Sequence, residues 1–188
     1  MKSEFQIRTA VAADIAVLTD LIEQSVRKLS RDDYSPEQMD AAIGNVLGLD
    51  TQLIKDRTYF VACPAEQPEM IAGCGGWSYR KTLCGSDQAP NREMTALDPQ
   101  HDAAKIRAIF VHPAWARRGL GTRMLKYCEE AAMQAGFHRF EMGSTLTGVP
   151  LYALRGYQAC ERIDISLPNG STLPVLRMVK SISTAHAI

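Results

Sequence analysis

Residues 109 to 123 read Ile-Phe-Val-His-Pro-Ala-Trp-Ala-Arg-Arg-Gly-Leu-Gly-Thr-Arg. A β-branched and aromatic run closes at Pro113, a basic turn with two glycines follows, and an apolar pattern at helical spacing begins. A strand–turn–helix of this kind aims backbone N–H groups out of a helix N-terminus, where they lack intrahelical acceptors and favour anions. Gly119 and Gly121 let the backbone approach a ligand closely. Arg117, Arg118 and Arg123 add guanidinium forks suited to phosphate oxygens. The chemistry indicated is binding of a diphosphate. A P-loop is excluded because no Gly-Lys-Ser/Thr occurs. A dinucleotide fingerprint is excluded because Met124 stands where its third glycine would fall.

A third pattern fits. Val111-His112-Pro113 followed by Ala116-Arg117-Arg118-Gly119-Leu120-Gly121 resembles motif A of the GCN5-related N-acetyltransferases, [Q/R]-x-x-G-x-[G/A] after a V-x-P strand end. Ala116 departs from the family's Arg or Gln, and Arg117 and Arg118 keep the charge beside it. Downstream, Leu151-Tyr152-Ala153-Leu154-Arg155-Gly156-Tyr157 is similar to the family's later tyrosine and Gly-[FY] segment, at the expected distance after the helix.

The resemblance implies acetyl transfer from acetyl-CoA to an amine. It places the pyrophosphate on backbone amides of Arg117, Arg118, Gly119, Leu120, Gly121 and Thr122. It lays the pantetheine arm along Ile109, Phe110 and Val111, by strand addition, which requires that strand to splay from its parallel neighbour. An N–H near the strand end would stabilise the oxyanion. It makes Tyr152 the candidate acid for the leaving thiolate, a phenol of ordinary pKa about 10. Packing with its hydroxyl satisfied elsewhere is the plainer role for Tyr152.

The attacking amine must shed a proton, and no residue stands out as the base. His112 titrates in the right range but reads better as a turn residue. Glu141 could face the site or the solvent. Asp32 and Asp33 could attract a cationic acceptor or simply be solvated. Trp115 reads as packing beneath the turn, and Trp77 as core or as acceptor wall. His101, His138 and His186 have no ligand-like spacing, so no metal is expected. No cysteine lies in a nucleophile motif, which favours direct transfer in a ternary complex. The partner expected is a small-molecule or protein amine, and a homodimer is left open. The alternatives are a non-catalytic acyl-CoA sensor or a transferase for another acyl group.

These residues need a scaffold. Strands are expected at 4–9, 58–63, 70–79, 103–111, 137–143, 157–167 and 172–180. Helices are expected from Asp14, as N-cap, through Val26, from Ser35-Pro36, and over 119–134 and 149–154. Gly136 should stop the central helix. Asn169-Gly170 marks a hairpin. Gly73, Gly75 and Gly76 suggest a bulge or close backbone approach. Residues 84–100 form a long polar stretch of the kind that often faces substrate. The middle and terminal strand pairs must be antiparallel, and the strand–helix–strand unit over 103–143 must be parallel. The class is therefore α/β (α+β), a three-layer sandwich with a mixed, mostly antiparallel sheet of about seven strands.

With 188 residues, one domain (1–188, core about 4–180) is expected. The formal net charge is zero, so no global basic field would hold nucleic acid or an anionic membrane. No apolar run approaches the roughly 18 residues of a membrane span. The N-terminus lacks a signal-peptide core. The five cysteines are widely spaced and fit no disulfide framework. These features together lead us to expect a soluble cytoplasmic protein.

Overall fold

The computed structural model describes residues 5–90 and 92–182. Seven strands form one sheet: β1 (Phe5–Thr9), β2 (Tyr59–Pro64), β3 (Gly73–Ser78), β4 (Ala104–Val111), β5 (Arg139–Thr145), β6 (Gln158–Ser166) and β7 (Thr172–Ser181). Their order is β1-β2-β3-β4-β5-β7-β6. Only β4 and β5 run parallel. The helices are α1 (Ile15–Leu29), α2 (Pro36–Ala42), α3 (Thr51–Lys55), α4 (Leu120–Gln134) and α5 (Val149–Ala153).

Two cores lie on opposite faces of the sheet. Leu18, Ile22 and Val26 of α1 and Met39 and Ala42 of α2 pack with Val61, Leu173 and Val175. Met124, Leu125, Cys128 and Ala132 of α4 pack with Phe60, Ala62, Phe140 and Met178. Val61 faces one core while Phe60 and Ala62 face the other, as side-chain alternation along a strand requires. The result is the expected three-layer sandwich.

Most local signals act as their chemistry demands. Ser35 caps α2 and Gln38 returns a bond to the Ser35 N–H, with Pro36 in the first turn. Gly136 ends α4 at φ +93°. The Asn169 side chain accepts from the Ser171 N–H, and Gly170, at φ +82°, turns the β6–β7 hairpin. Asp14 departs from its expected capping role. A 3-10 turn, Ala12–Asp14, precedes α1, and the carboxylate accepts from the Val11 N–H and from Arg8 rather than from α1. The five-residue α3 is too short to show as a sequence period.

Two distortions shape the centre of the sheet. First, β4 and β5 pair only at Ala104↔Phe140 and Lys105↔Glu141 and then part. Second, β4 bulges. Cys74 faces Phe110 and Gly76 faces Arg107, so Ala108 and Ile109 stand opposite Gly75 alone. Ala108 sits at φ +50°, unusual for a residue with a side chain. A Cβ on Gly75 would lie 2.7 Å from Ile109 Cγ1, and one on Gly76 would lie 2.4 Å from the Thr58 carbonyl oxygen. The glycines of β3 thus provide the close approach anticipated, while the bulge itself belongs to β4.

Candidate active site

Where β4 and β5 part, a cavity of about 220 Å³ opens through the sheet. Ile109, Val111, Gly121, Leu151 and Tyr152 line the side toward α4 and α5, while Phe110, alternating with its neighbours, packs toward the α1 side. Ser25, Val26 and Leu29 of α1, with Ser30 at its C-terminal end, line the other side. Met142 to Thr145 of β5 form one wall, and Leu83, Cys84 and Gly85 from the long loop close it. The three β4 residues expected to carry a pantetheine arm therefore face this opening, and part of the 84–100 stretch borders it.

At the α4 end, the turn adopts left-handed backbone at Arg117 (φ +62°) and at Gly119 (φ +80°), the N-cap of α4. Arg123 N–H makes the first bond back, to the Gly119 carbonyl. The N–H groups of Leu120, Gly121 and Thr122 precede it in the first turn and are left for an external acceptor. A Cβ on Gly119 would meet nothing within 4 Å, so the space beside it is open. The Arg118 guanidinium lies over the Trp115 indole, 4.9 Å from its centroid, and Phe5 meets the edge of the same indole. Trp115 thus packs beneath the turn and orients an arginine. Arg123 is otherwise engaged, donating to the Phe5 carbonyl at 2.9 Å. Leu120 buries its side chain against Gly73, leaving its N–H as its contribution.

Tyr152 stands on α5 at the cavity wall, 8% exposed. Its ring meets Tyr157 edge-on at 6.0 Å. Tyr157 in turn donates to Glu129 of α4 at 2.8 Å, and Lys180 holds the same carboxylate. The ring of Tyr152 passes so close to Gly148 that a Cβ there would lie 2.7 Å from Cε2. The hydroxyl has no partner among the described residues, yet no sealed side-chain oxygen lacks one, so it reaches accessible space. Burial pushes the phenol well above its ordinary pKa, so it stays protonated.

Other candidates fall elsewhere. Glu141 turns away from the cavity into a cross-strand cluster, accepting from Lys105 and, at 2.8 Å, from Arg177. Burial alone would raise its pKa, but those two cations prevail and hold it low. It is unsuited to be a base. His112 Nδ1 accepts from the Ala114 N–H at 3.2 Å and caps the turn Pro113–Trp115. Trp77 is core, edge-on to Phe137 and Tyr79. Asp32 is exposed beside Arg31. Asp33 accepts from Thr147 Oγ1 at 2.7 Å, at the cavity rim. His101 bonds to Asp98, His138 is exposed, and His186 lies outside the described residues.

Several contributors carry no local signature. Arg107 points from β4 into the interior, 3% exposed. It donates to Asp50 at 2.9 Å and to the carbonyls of Thr82 and Gly85, fixing the loop that bears Leu83 and Cys84. Arg92 also binds Asp50. Tyr34, pushed up to about 12 by burial, donates to the Pro174 carbonyl and accepts from the Leu146 N–H, tying the α1–α2 loop to the approach to α5. An arginine within the strand 103–111 was the one visible hint of the first group, since a buried charge needs a partner.

The Acetyltransferase (GNAT) family model matches residues 23–157. No curated protein matches the sequence. Among solved structures, a GCN5-related N-acetyltransferase from Rhodopseudomonas palustris superposes with a TM-score of 0.70 at 22% identity, covering 97% of this chain and 98% of that one. The yncA protein of Salmonella typhimurium, solved with its cofactor acetyl-CoA, gives 0.62 at 17% identity, covering 99% and 98%. N-acetylglutamate synthase from Neisseria gonorrhoeae, complexed with coenzyme A and N-acetyl-glutamate, gives 0.60 at 19% identity, covering 97% of this chain and 36% of that one.

Proposed function

This chain belongs to the acetyltransferase (GNAT) family, and from that premise we propose that it transfers acetyl from acetyl-CoA to an amine directly, in a ternary complex. The observation that carries the reading is the parting of β4 from β5, which runs a cavity from the α4 N-terminus to Tyr152. The free N–H groups of Leu120, Gly121 and Thr122, with Arg117 and Arg118, suit a pyrophosphate by charge and geometry. Two of the similar structures hold coenzyme A or acetyl-CoA.

The edge of β4 over Ile109–Val111 faces the opening and offers main-chain groups to the amides of a pantetheine arm. The bulge leaves backbone beside Ala108 outside the ladder, where an N–H can meet a thioester carbonyl. In the transfer the amine nitrogen bonds to the acetyl carbon, the C–S bond breaks, and the nitrogen releases a proton. Tyr152 gives its proton to the departing sulfur and is reprotonated from solvent. Cys84 borders the cavity, but burial raises its thiol pKa against the pull of Arg107, which supports direct attack over an acyl-cysteine route.

Release of free thiol from acetyl-CoA across an amine panel tests the proposal. Turnover on an amine, falling about 100-fold in Tyr152→Phe with the KM for acetyl-CoA within about twofold, is expected. Coenzyme A binding with no turnover on any amine would instead make the protein an acyl-CoA sensor.

A further inference from the structure

The α1 side of the cavity has a composition of its own. Its walls are Val26, Leu29, Val46, Leu83, Ile165 and Val175, drawn from five separate segments. Its polar features are hydroxyls. Ser25 and Ser30 are 5% and 6% exposed, and neither side-chain oxygen has a partner among the described residues. Since no sealed side-chain oxygen among the described residues lacks a bond, and both residues line the cavity, both hydroxyls reach accessible space there.

Charge is the other discriminator. Arg107 is the single Asp, Glu, Lys or Arg among the described lining residues. Its terminal nitrogens are taken by Asp50 and by the carbonyls of Thr82 and Gly85. Asp50 and Asp87 balance Arg107 and Arg92 within that cluster, so it offers no net charge to a ligand. The Asp33 carboxylate, outside the lining, is engaged by Thr147 at the rim. A second ammonium or a carboxylate entering here would lose its water and gain no counter-charge.

We propose that the acceptor is a small primary amine with one amino group on an apolar body, such as a branched alkylamine or an arylalkylamine. This rests on the acetyl-transfer reading above. The nitrogen forms the new C–N bond, loses one proton, and leaves as a neutral N-alkylacetamide, while the sulfur of coenzyme A takes up a proton. The apolar body occupies the Leu29–Val46–Ile165 wall, and Ser25 and Ser30 can hydrogen-bond the amine as it enters. The acceptor differs in class from the dicarboxylic ligand held by the gonococcal synthase.

The test compares isoamylamine and phenethylamine with cadaverine and glutamate on the full chain. The apolar amines should exceed both charged ones in kcat/KM by about tenfold or more. Equal or better turnover of cadaverine or glutamate overturns the acceptor class and leaves acetyl transfer standing. No turnover on any of the four, with coenzyme A bound, overturns acetyl transfer and the acceptor class with it. A second arm uses Leu29, which is partly exposed at the end of α1. Leu29→Trp should raise the KM for isoamylamine about tenfold while the KM for acetyl-CoA stays within about twofold, a split that misfolding does not produce. Equal shifts in both, or none, would place the acceptor elsewhere. Leu29→Glu should raise the cadaverine-to-isoamylamine preference about tenfold, and an unchanged ratio would count against the charge argument.

Discussion

Tyr59 on β2 reaches across β3 to β4 and donates its hydroxyl to the Ala108 carbonyl at 2.8 Å. The ring crosses Gly76, where a Cβ would lie 2.7 Å from Cδ2. A fully buried phenol thereby pins the one β4 residue at positive φ, and the bulge it holds turns Ile109–Val111 toward the cavity. Tyr59→Phe leaves that carbonyl without its donor. Stability should fall by about 1–3 kcal/mol in denaturant melts. The KM for acetyl-CoA should rise as well, because the bulge that aims the strand edge is relaxed. A loss of stability with unchanged KM would confine Tyr59 to packing.

Gly119 and Gly44 make a matched pair. Both sit at φ +80° with open space around the missing Cβ. Alanine at either should cost about 1 kcal/mol of backbone strain. Gly119→Ala alone should weaken coenzyme A binding, by about tenfold in calorimetric titration, because it alters the turn beside the α4 N-terminus. Equal affinity in the two variants would remove the turn from the binding site.

Gly148 offers a way to move Tyr152 without deleting it. An alanine Cβ would lie 2.7 Å from the ring and 3.0 Å from Ser144 Oγ. Gly148→Ala should lower kcat by about tenfold or more, with the KM for acetyl-CoA nearly kept. A normal kcat would show that the position of this phenol is not limiting.

The turn was legible in the sequence because its chemistry is contiguous. Strand end, arginines, glycines and helix start all fall within Val111–Thr122. Tyr152 came only through the family resemblance of the short segment Leu151–Tyr157, and it stands at the cavity wall. The α1-side wall was not legible. Ser25, Leu29, Val46, Leu83 and Arg107 come from segments with no common period, and only the sheet order brings them together. Glu141 misled for a related reason. Its partners Lys105 and Arg177 sit on the strands either side of β5, and that neighbourhood follows from the order β4-β5-β7 rather than from spacing.

Three carboxylates should shape the acid limb of stability. Hydrogen bonds from Arg8 and Arg80 hold Asp14 and Asp56 low. Glu141 is also lowered, because Lys105 and Arg177 overcome the effect of burial. A folded pKa below the unfolded one means that the stabilisation is present above the unfolded value and is lost as pH falls through the folded value. Stability should therefore drop between about pH 5 and pH 2. Glu141→Gln should be less stable than the parent at about pH 7, with the gap closing toward pH 2. A gap independent of pH in urea melts would contradict this account.

Asp50 and Arg107 are both nearly sealed from solvent, so removing one strands the other. Asp50→Asn should cost about 3–5 kcal/mol, whereas the double variant Asp50→Asn, Arg107→Met should recover a large part of that loss. A double-mutant cycle by thermal melting measures the coupling, and strict additivity of the two single effects would deny it.

The two rungs that join β4 to β5 divide the sheet into plates of unequal size, four strands against three, welded along Ala104–Lys105 and Phe140–Glu141. Below that weld the plates have no ladder between them. A ligand whose amides bond along β4 acts as a rivet in the open seam, stiffening the molecule as it binds. On the proposed reading, an acyl donor seated there would become part of the sheet for as long as it stayed, and hydrogen exchange along β4 and β5 should slow when coenzyme A is added.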